Sequence, residues 1–438
     1  DQIDVLIGRA GAAVAGAAIR LLGGAYGRNG VLVAFPGNNG NDGRVADERL
    51  RERGARVNEL DALSLPSSLP AADLVIDAAF GIGFRGDWAM PYPDVARVLA
   101  VVVPSGLDGT TGIAGPHTRR ADVTVTFGAL CPGHLFHDGP DLAGEVVVAD
   151  IGLPRGAPTA HVVEASDVAA WVPARDRNVH QWADAVRGVA GSPGMTGAAH
   201  LACAAAMRAG SGLVTVSSPG IDSDAPIVVV DQRVPPFDWA DVVLADLHRY
   251  HALVLGPGIG REEYTVPSVV RTVLEAVVPV VIDGDGLFAL SWNEAGNPQF
   301  LIEREVPTVL TPHDGEYGRL TGRRPGDDRI AAAQRLAEQT GATVLLKGPT
   351  TVVAAPGRDS LIVDHGTQRL ATAGSGDVLA GLIGAFLARG ARAPQAAAAG
   401  AWVHAEAARR TADGMLAGDL PTEIPAAIAH ARSVAASC

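Results

Sequence analysis

Short apolar runs, each broken by a glycine-rich polar turn, recur along this chain and limit what it can fold into. Val31-Leu32-Val33-Ala34-Phe35 stops at Pro36-Gly37, and a helix is expected near 44–53. Leu74 to Ala78, Leu99 to Val103, Val123 to Phe127 and Val146 to Ala149 continue the series. Runs that are apolar on both faces, with helix-length stretches between them, predict a mostly parallel sheet covered on both sides. The series pauses at Asp150-Ile151-Gly152-Leu153-Pro154-Arg155-Gly156-Ala157-Pro158, which is rich in Gly and Pro. A second series follows at Leu213 to Ser217, Ile227 to Val230, Ala252 to Leu255, Val280 to Ile282, Thr308 to Leu310 and Val344 to Leu346. It ends in helices expected near 377–389, 395–411 and 422–436. The reading is α/β, with two doubly wound domains over 1–157 and 158–438, each long enough to bury its own core. No repeat at a solenoid period is present.

Composition removes several classes of function. Hydrophobic residues make up 47% of the chain and aromatic ones only 5%, as in an α/β enzyme rather than a β-sandwich. A net charge of −13 argues against a nucleic-acid surface, which needs clustered Lys and Arg. Cys131, Cys203 and Cys438 lie far apart with no metal-ligand spacing, so a reducing cytoplasm is expected. No apolar run reaches the roughly 18 to 20 residues that cross a bilayer, and no leader is evident, so no membrane partner is expected. A homo-oligomer is the expected state.

The chemistry concentrates in Ala371-Thr372-Ala373-Gly374-Ser375-Gly376-Asp377-Val378-Leu379-Ala380-Gly381. It reads as a glycine turn opening into an apolar helix, with a carboxylate in the first turn. Helix amides at such a turn bind anions, and glycines let a phosphate approach the backbone. Asp377 beside bound phosphate is placed to take a proton from an attacking hydroxyl; the plain alternative is a helix cap. Lys347, in Leu345-Leu346-Lys347-Gly348-Pro349-Thr350-Thr351, is the single Lys among 35 basic residues. Where Arg is the default, one Lys at a strand end suggests that a compact point charge was needed for a nucleotide phosphate.

Further loops fall at strand ends, where ligands collect in open parallel sheets. They are Gly256-Pro257-Gly258-Ile259-Gly260, Asp283-Gly284-Asp285-Gly286-Leu287 and Thr311-Pro312-His313-Asp314-Gly315-Glu316. Taken alone, His313 reads as a capping histidine, and Asp283 and Asp285 as caps of the next helix. Together with Gly374-Ser375-Gly376-Asp377, these motifs resemble the ADP/ATP-dependent NAD(P)H-hydrate dehydratases, a branch of the carbohydrate-kinase-like family. The resemblance runs from about residue 163 to the end and implies a ribokinase-like fold. It implies that Ala198, Gly258, Gly260, His313 and Asp377 contact the hydrated dinucleotide. Lys347, Gly348, Pro349, Thr350 and Thr351, with Gly374, Ser375 and Gly376, would hold the phosphates of ADP or ATP, with Mg²⁺ as the divalent cation. Asp377 would deprotonate the ring hydroxyl, which takes the terminal phosphoryl group. Phosphate then leaves as the ring double bond forms.

In the first half, Gly37-Asn38-Asn39-Gly40-Asn41-Asp42-Gly43 follows a strand and precedes a helix. Asp77 ends a strand, Gly81-Ile82-Gly83-Phe84-Arg85-Gly86-Asp87 makes a second glycine loop, and Pro104-Ser105-Gly106-Leu107-Asp108 follows a third strand. This arrangement looks like the Rossmann-like NAD(P)H-hydrate epimerase domain, over roughly residues 1–155. The likeness implies that Asn38, Asn39, Gly40, Asn41 and Asp42 line a dinucleotide site with Gly81, Ile82, Gly83, Phe84, Arg85, Gly86 and Asp87, and with Tyr92 nearby. Asn39, Asp77 and Ser105 would ligate K⁺. Members of that family usually carry Asp where this chain has Val102, and that carboxylate is the natural acid/base for opening and reclosing the hydrated ring. Valine cannot move a proton, so epimerisation is expected to be impaired unless Asp108 or Asp42 substitutes. The implied function is repair of NADHX and NADPHX to NADH and NADPH. The alternative is a small-molecule kinase with a non-catalytic dinucleotide-binding first domain.

Overall fold

A computed structural model of the chain describes all residues except 1, 85, 92–95, 155, 157, 176, 225–229, 292–297 and 438, and the side chain of Phe300. The backbone divides into two units, Asp1–Ala157 and Pro158–Cys438.

The first unit is built on a six-stranded sheet in the order Arg56–Asp61, Asn29–Ala34, Leu74–Ala78, Arg97–Val101, Val123–Phe127, Glu145–Ala149. Every pair is parallel. Alternate residues of each strand face opposite sides. Leu32, Ile76, Leu99 and Val125 meet the helices Gln2–Leu22 and Asn38–Arg51 through Val14, Ala18, Ala46 and Leu50. Val31, Val33, Val75 and Val98 face the other way, against Met90, Phe80 and Trp88. The order reverses between Asn29–Ala34 and Leu74–Ala78, the switch point at which such sheets leave a crevice.

The second unit carries a ten-stranded sheet in the order Val230–Asp231, Val214–Ser217, Val186–Val189, Ala252–Leu255, Val280–Ile282, Thr308–Leu310, Thr343–Leu346, Thr351–Ala354, Ser360–Val363, Ala160–Val162. All pairs are parallel except those of Thr351–Ala354, which runs antiparallel to both neighbours. Helices Thr196–Arg208, Ser375–Ala388, Ala393–Arg410 and Leu420–Ala435 bury Ala-rich faces against Val186, Val254, Val281, Val309 and Leu345.

Several local expectations are corrected. The run Leu99 to Val103 forms a strand only over Arg97–Val101, because the chain turns at Val102, whose φ is +70°. The expected helix near 44–53 begins at Asn38, so Asn38 to Asp42 form its first turns rather than a loop. Of the expected strand Ile227 to Val230, residues 227–229 lie outside those described, and Val230–Asp231 forms the edge. The edge strand Arg56–Asp61 escapes a search for apolar runs because it is largely polar, with Val57 buried. Val186–Val189 escapes it because Arg187 sits mid-strand, fully buried and donating to Ser217 Oγ at 2.9 Å.

Among the described residues one helix, Gln2–Leu22, is by length and composition long and apolar enough to cross a membrane, against the expectation that no such segment exists. Its Ala and Gly content hid it from a search for runs of large apolar residues. Ala10, Val14, Ala15 and Ala18 are buried within the first unit.

Candidate active sites

In the second unit, four strand ends converge on one cluster. Thr311 Oγ1 donates to Asp283 Oδ1 at 2.7 Å, and Lys347 Nζ donates to the same oxygen at 2.6 Å. Glu316 Oε2 lies 3.8 Å from that ammonium and accepts the His313 amide at 2.9 Å. Asp283 and Glu316 are 2% and 5% exposed. Burial alone would lower the Lys347 ammonium, but Asp283 and Glu316 outweigh it and hold it above the ordinary lysine value. Burial raises Glu316 despite the neighbouring Lys347. Asp283 and Asp285 are therefore not helix caps, as their sequence suggested. Asp283 holds Lys347, while Asp285 accepts Gly260 N at 3.1 Å and Arg261 Nε at 2.6 Å.

The glycine turn closes over this cluster. Gly374 stands at φ +93° as the N-cap of Ser375–Ala388. A Cβ placed on Gly376 would lie 3.4 Å from Lys347 Nζ and 3.6 Å from Asp283 Oδ2, so turn, ammonium and carboxylate share one space. Asp377, in the first turn, is pushed up to about 7 by burial, reinforced by the charge of Asp283 and opposed by Lys347. A carboxyl poised there can exchange protons at neutral pH. The Ser375 hydroxyl is turned inward to Leu370 O at 2.7 Å and its amide donates to Thr372 O at 3.1 Å, which leaves the glycine amides of the turn to meet an anion. Arg329 steadies the strand end by donating to Lys347 O at 2.7 Å and to Asp314 at 2.9 Å. Gly348, Pro349 and Thr350 form the turn beyond Lys347, and Thr351 Oγ1 donates to Gly348 O at 3.3 Å.

His313 does cap a helix, as read in isolation. It N-caps Asp314–Thr321, with Nδ1 accepting Gly315 N at 2.9 Å, while Nε2 lies 3.5 Å from Glu316 Oε1. The side chain is 58% exposed, so one edge is left for a ligand. Gly258, at φ +61°, rests on the first turn of Thr196–Arg208, where a Cβ would lie 2.8 Å from that of Ala198. Gly258→Ala is expected to destabilise by about 1–3 kcal/mol, from positive φ and overpacking together. It should also push Ala198 out of place. An unchanged midpoint in thermal unfolding would mean that the loop yields freely.

In the first unit, a cavity of about 330 Å³ opens at the switch point, lined by Asn38, Asn39, Asp42, Gly81, Ile82, Val102 and Phe127, with Ile3, Leu6 and Ile7 opposite. Both polar atoms of the Asn39 carboxamide are buried and lack a hydrogen-bond partner among the described residues. Asp42, one helical turn on, is 7% exposed, and burial pushes its carboxyl up to about 7. Gly40 and Asn41 lie between them on the same helix. Asp77 is buried beneath, its two oxygens accepting Ser105 N at 2.8 Å and Ser105 Oγ at 2.5 Å. Phe84 stacks on Phe80 at 4.1 Å, turning the Gly81-Ile82-Gly83 loop, and Gly86 and Asp87 continue it. Arg85 and Tyr92 lie outside the described residues.

Val102 is a β-branched residue at positive φ, a costly conformation. Val103 N closes a tight turn onto Val101 O at 3.0 Å. His134, which burial keeps neutral, accepts Cys131 N on Nδ1 at 3.0 Å, so Nε2 donates to Val102 O at 2.8 Å. Asp108 faces its own turn, its Oδ1 accepting Thr110 N at 2.8 Å and Thr111 N at 2.9 Å.

A family model described as NAD(P)H-hydrate dehydratase matches residues 187–430, and one described as the YjeF-related protein N-terminus matches residues 58–133. A ribokinase-like superfamily protein from Enterococcus faecalis shares the fold of the second unit, at 19% identity and a TM-score of 0.55, over 64% of this chain and 99% of its own. An ADP/ATP-dependent NAD(P)H-hydrate dehydratase from Bacillus subtilis, co-crystallised with ATP/Mg²⁺, is 28% identical, with a TM-score of 0.52 over 61% of this chain and 97% of its own. A turn-and-carboxylate site on this fold defines the second unit as a ribokinase-like enzyme domain. Across the whole chain, the bifunctional NAD(P)H-hydrate repair enzyme of Mycobacterium leprae is 37% identical, covering 99% of this chain and 95% of that protein. The Mycobacterium tuberculosis enzyme of that description is 39% identical over 86% and 82%. The chain belongs to the family of bifunctional NAD(P)H-hydrate repair enzymes.

Proposed function

We propose that this chain restores NADH and NADPH from their hydrates, the second unit dehydrating the (S) hydrate at the expense of ADP or ATP and the first interconverting the (R) and (S) forms. The observation that carries the reading is Asp377, a carboxyl held near pKa 7 in the first turn behind Gly374-Ser375-Gly376. As a carboxylate it takes the proton of the ring hydroxyl while that oxygen attacks the terminal phosphoryl group. The Gly374 and Gly376 amides meet the transferring phosphate, and Lys347 supplies a compact positive charge beside them. Ala198, Gly258, Gly260 and His313 form the wall against the dinucleotide. Gly348, Pro349, Thr350 and Thr351 carry the chain past the nucleotide.

Among the described residues no group of three or more His, Cys, Asp or Glu is arranged to hold a metal. Mg²⁺ arriving with the nucleotide would offset the charge of its phosphates. In the first unit the orphaned Asn39 carboxamide fits a cation or a polar ligand group. Asn39, Asp77 and Ser105 are the residues that would hold K⁺, through oxygen atoms alone. A cytoplasmic setting belongs to the same reading.

Incubation of each hydrate epimer with ADP or ATP and Mg²⁺ tests the reading. The expected result is recovery of reduced-nicotinamide absorbance, with one phosphate released per cofactor restored. A stable phosphoester in place of free phosphate would instead make the second unit a small-molecule kinase.

A further inference from the structure

Only one carboxylate among the described residues lining the switch-point cavity can exchange a proton with a ligand there, and a valine lines the same cavity. Asp42 lines that space with Asn39 and Val102. Asn39 and Asp42 are three residues apart on one helix and so share a face. Val102 projects into the same space and carries no proton. Asp77 is spent on Ser105, and Asp108 on the Thr110 and Thr111 amides.

The charged groups on the elements packed against this helix are directed elsewhere. From Gln2–Leu22, Arg9 donates to Ile151 O at 3.0 Å, while Asp4 and Arg20 are exposed. On the helix itself, Arg44 pairs with Glu59 at 2.8 Å, Asp47 with Arg51 at 2.6 Å, and Arg49 donates to Gly8 O at 3.4 Å, while Glu48 is exposed. On the neighbouring strands, Asp61 accepts Leu63 N at 3.0 Å, Arg97 pairs with Asp122 at 2.9 Å, and Arg56 is exposed. His134 donates to Val102 O. Nothing among the described residues supplies Asp42 with a compensating cation, and burial is the cause of its raised pKa.

We infer that Asp42 is the acid/base that opens and recloses the hydrated ring in the first unit, in place of a carboxylate at position 102. This rests on the reading of that unit as an epimerase. The carboxylate removes the hydroxyl proton as the carbon–nitrogen bond of the ring breaks. The oxygen becomes an aldehyde, and the bond's electron pair stays on nitrogen. The Asp42 carboxyl then returns its proton to that nitrogen. Rotation of the aldehyde carbon presents its other face, and the reverse steps close the ring with inverted configuration. Protons and electrons balance, and no oxidant or co-reactant enters.

The test uses the full chain without nucleotide, so that the second unit is idle. Purified (R) hydrate of NADH is supplied, and its approach to the (R)/(S) equilibrium is followed by chromatography. Wild type should equilibrate the epimers faster than buffer, with a rate that rises as pH passes through about 7. Asp42→Asn should lower the maximal enzyme-dependent rate by about 10²–10⁴ with little change in apparent hydrate affinity. Asp42→Glu should recover part of the rate, and Asp108→Asn, which keeps its turn, should match wild type. Each variant should still dehydrate (S) hydrate normally once ADP or ATP and Mg²⁺ are added, which reports an intact chain. An Asn variant within tenfold of wild type, a loss confined to affinity, or a wild-type profile flat across neutral pH overturns the role of Asp42 alone. Wild type no faster than buffer overturns the epimerase reading, and this inference with it.

Discussion

An Asp377→Asn variant is expected to lose (S)-hydrate dehydration by about 10²–10⁴ while nucleotide binding stays close to wild type, because its proposed work is proton removal. The side chains are isosteric, and the anion-facing part of the turn is backbone. The wild-type rate should itself fall as pH drops below about 7, where the carboxyl takes up its proton. The residual rate of the variant should show no such inflection. Stability should move the opposite way. A carboxyl raised from 3.8 to about 7 binds its proton more tightly folded than unfolded. Folding stability is therefore lost as pH rises through that window, and the full cost is present above it. At pH 8 the Asn variant should unfold at a higher temperature than wild type, and by about pH 4 the difference should vanish. Initial rates and thermal melts across this range check both effects. A variant that keeps more than about a tenth of the rate would make Asp377 a helix cap.

The sequence made the strands of both units largely legible, because parallel strands buried on both faces read as continuous apolar runs. It failed where burial and polarity part company. Arg187 occupies a central strand only because Ser217, Gln232 and Tyr250 receive its guanidinium, and those partners lie 30 to 63 residues away. The motif residues of the second unit were visible one loop at a time. Their pairing was not, since Lys347 and Asp283 are 64 residues apart and meet only through sheet register. Asp283 therefore looked like a cap for the helix beside it. Val102 was visible as a missing carboxylate, but its positive φ and its place in the cavity that Asp42 also lines follow from the γ-like turn that ends the strand. Arg-rich composition is what drew attention to Lys347, and the fold puts that residue under several constraints at once.

Those constraints make Lys347→Met the most damaging single change expected for stability. Its ammonium satisfies Asp283, which is 2% exposed, and lies 3.8 Å from Glu316, which is 5% exposed. Removing one partner of a buried pair strands the other, at a cost of about 3–5 kcal/mol. Thr311 Oγ1 would remain as a single donor to Asp283. The Met variant should therefore be less stable at pH 8 than at pH 5, since proton uptake by the stranded carboxylates relieves part of the cost. Asp283→Asn in the same chain should recover much of the loss, because it removes the uncompensated charge, and the double-mutant cycle then reads the pair's coupling. Nucleotide-dependent turnover should not return in the double variant, as the ammonium beside the Gly374 to Gly376 turn is gone. Lys347→Arg separates the two demands. It keeps a charge for Asp283, but its flat guanidinium is broader than the ammonium seated 3.4 Å from a Cβ position on Gly376. The Arg variant should fold and use nucleotide poorly. A Met variant within about 1 kcal/mol of wild type at pH 8 would show that the pair is not a stabilising contact. An Arg variant with wild-type nucleotide affinity and turnover would show that this space does not hold the phosphates.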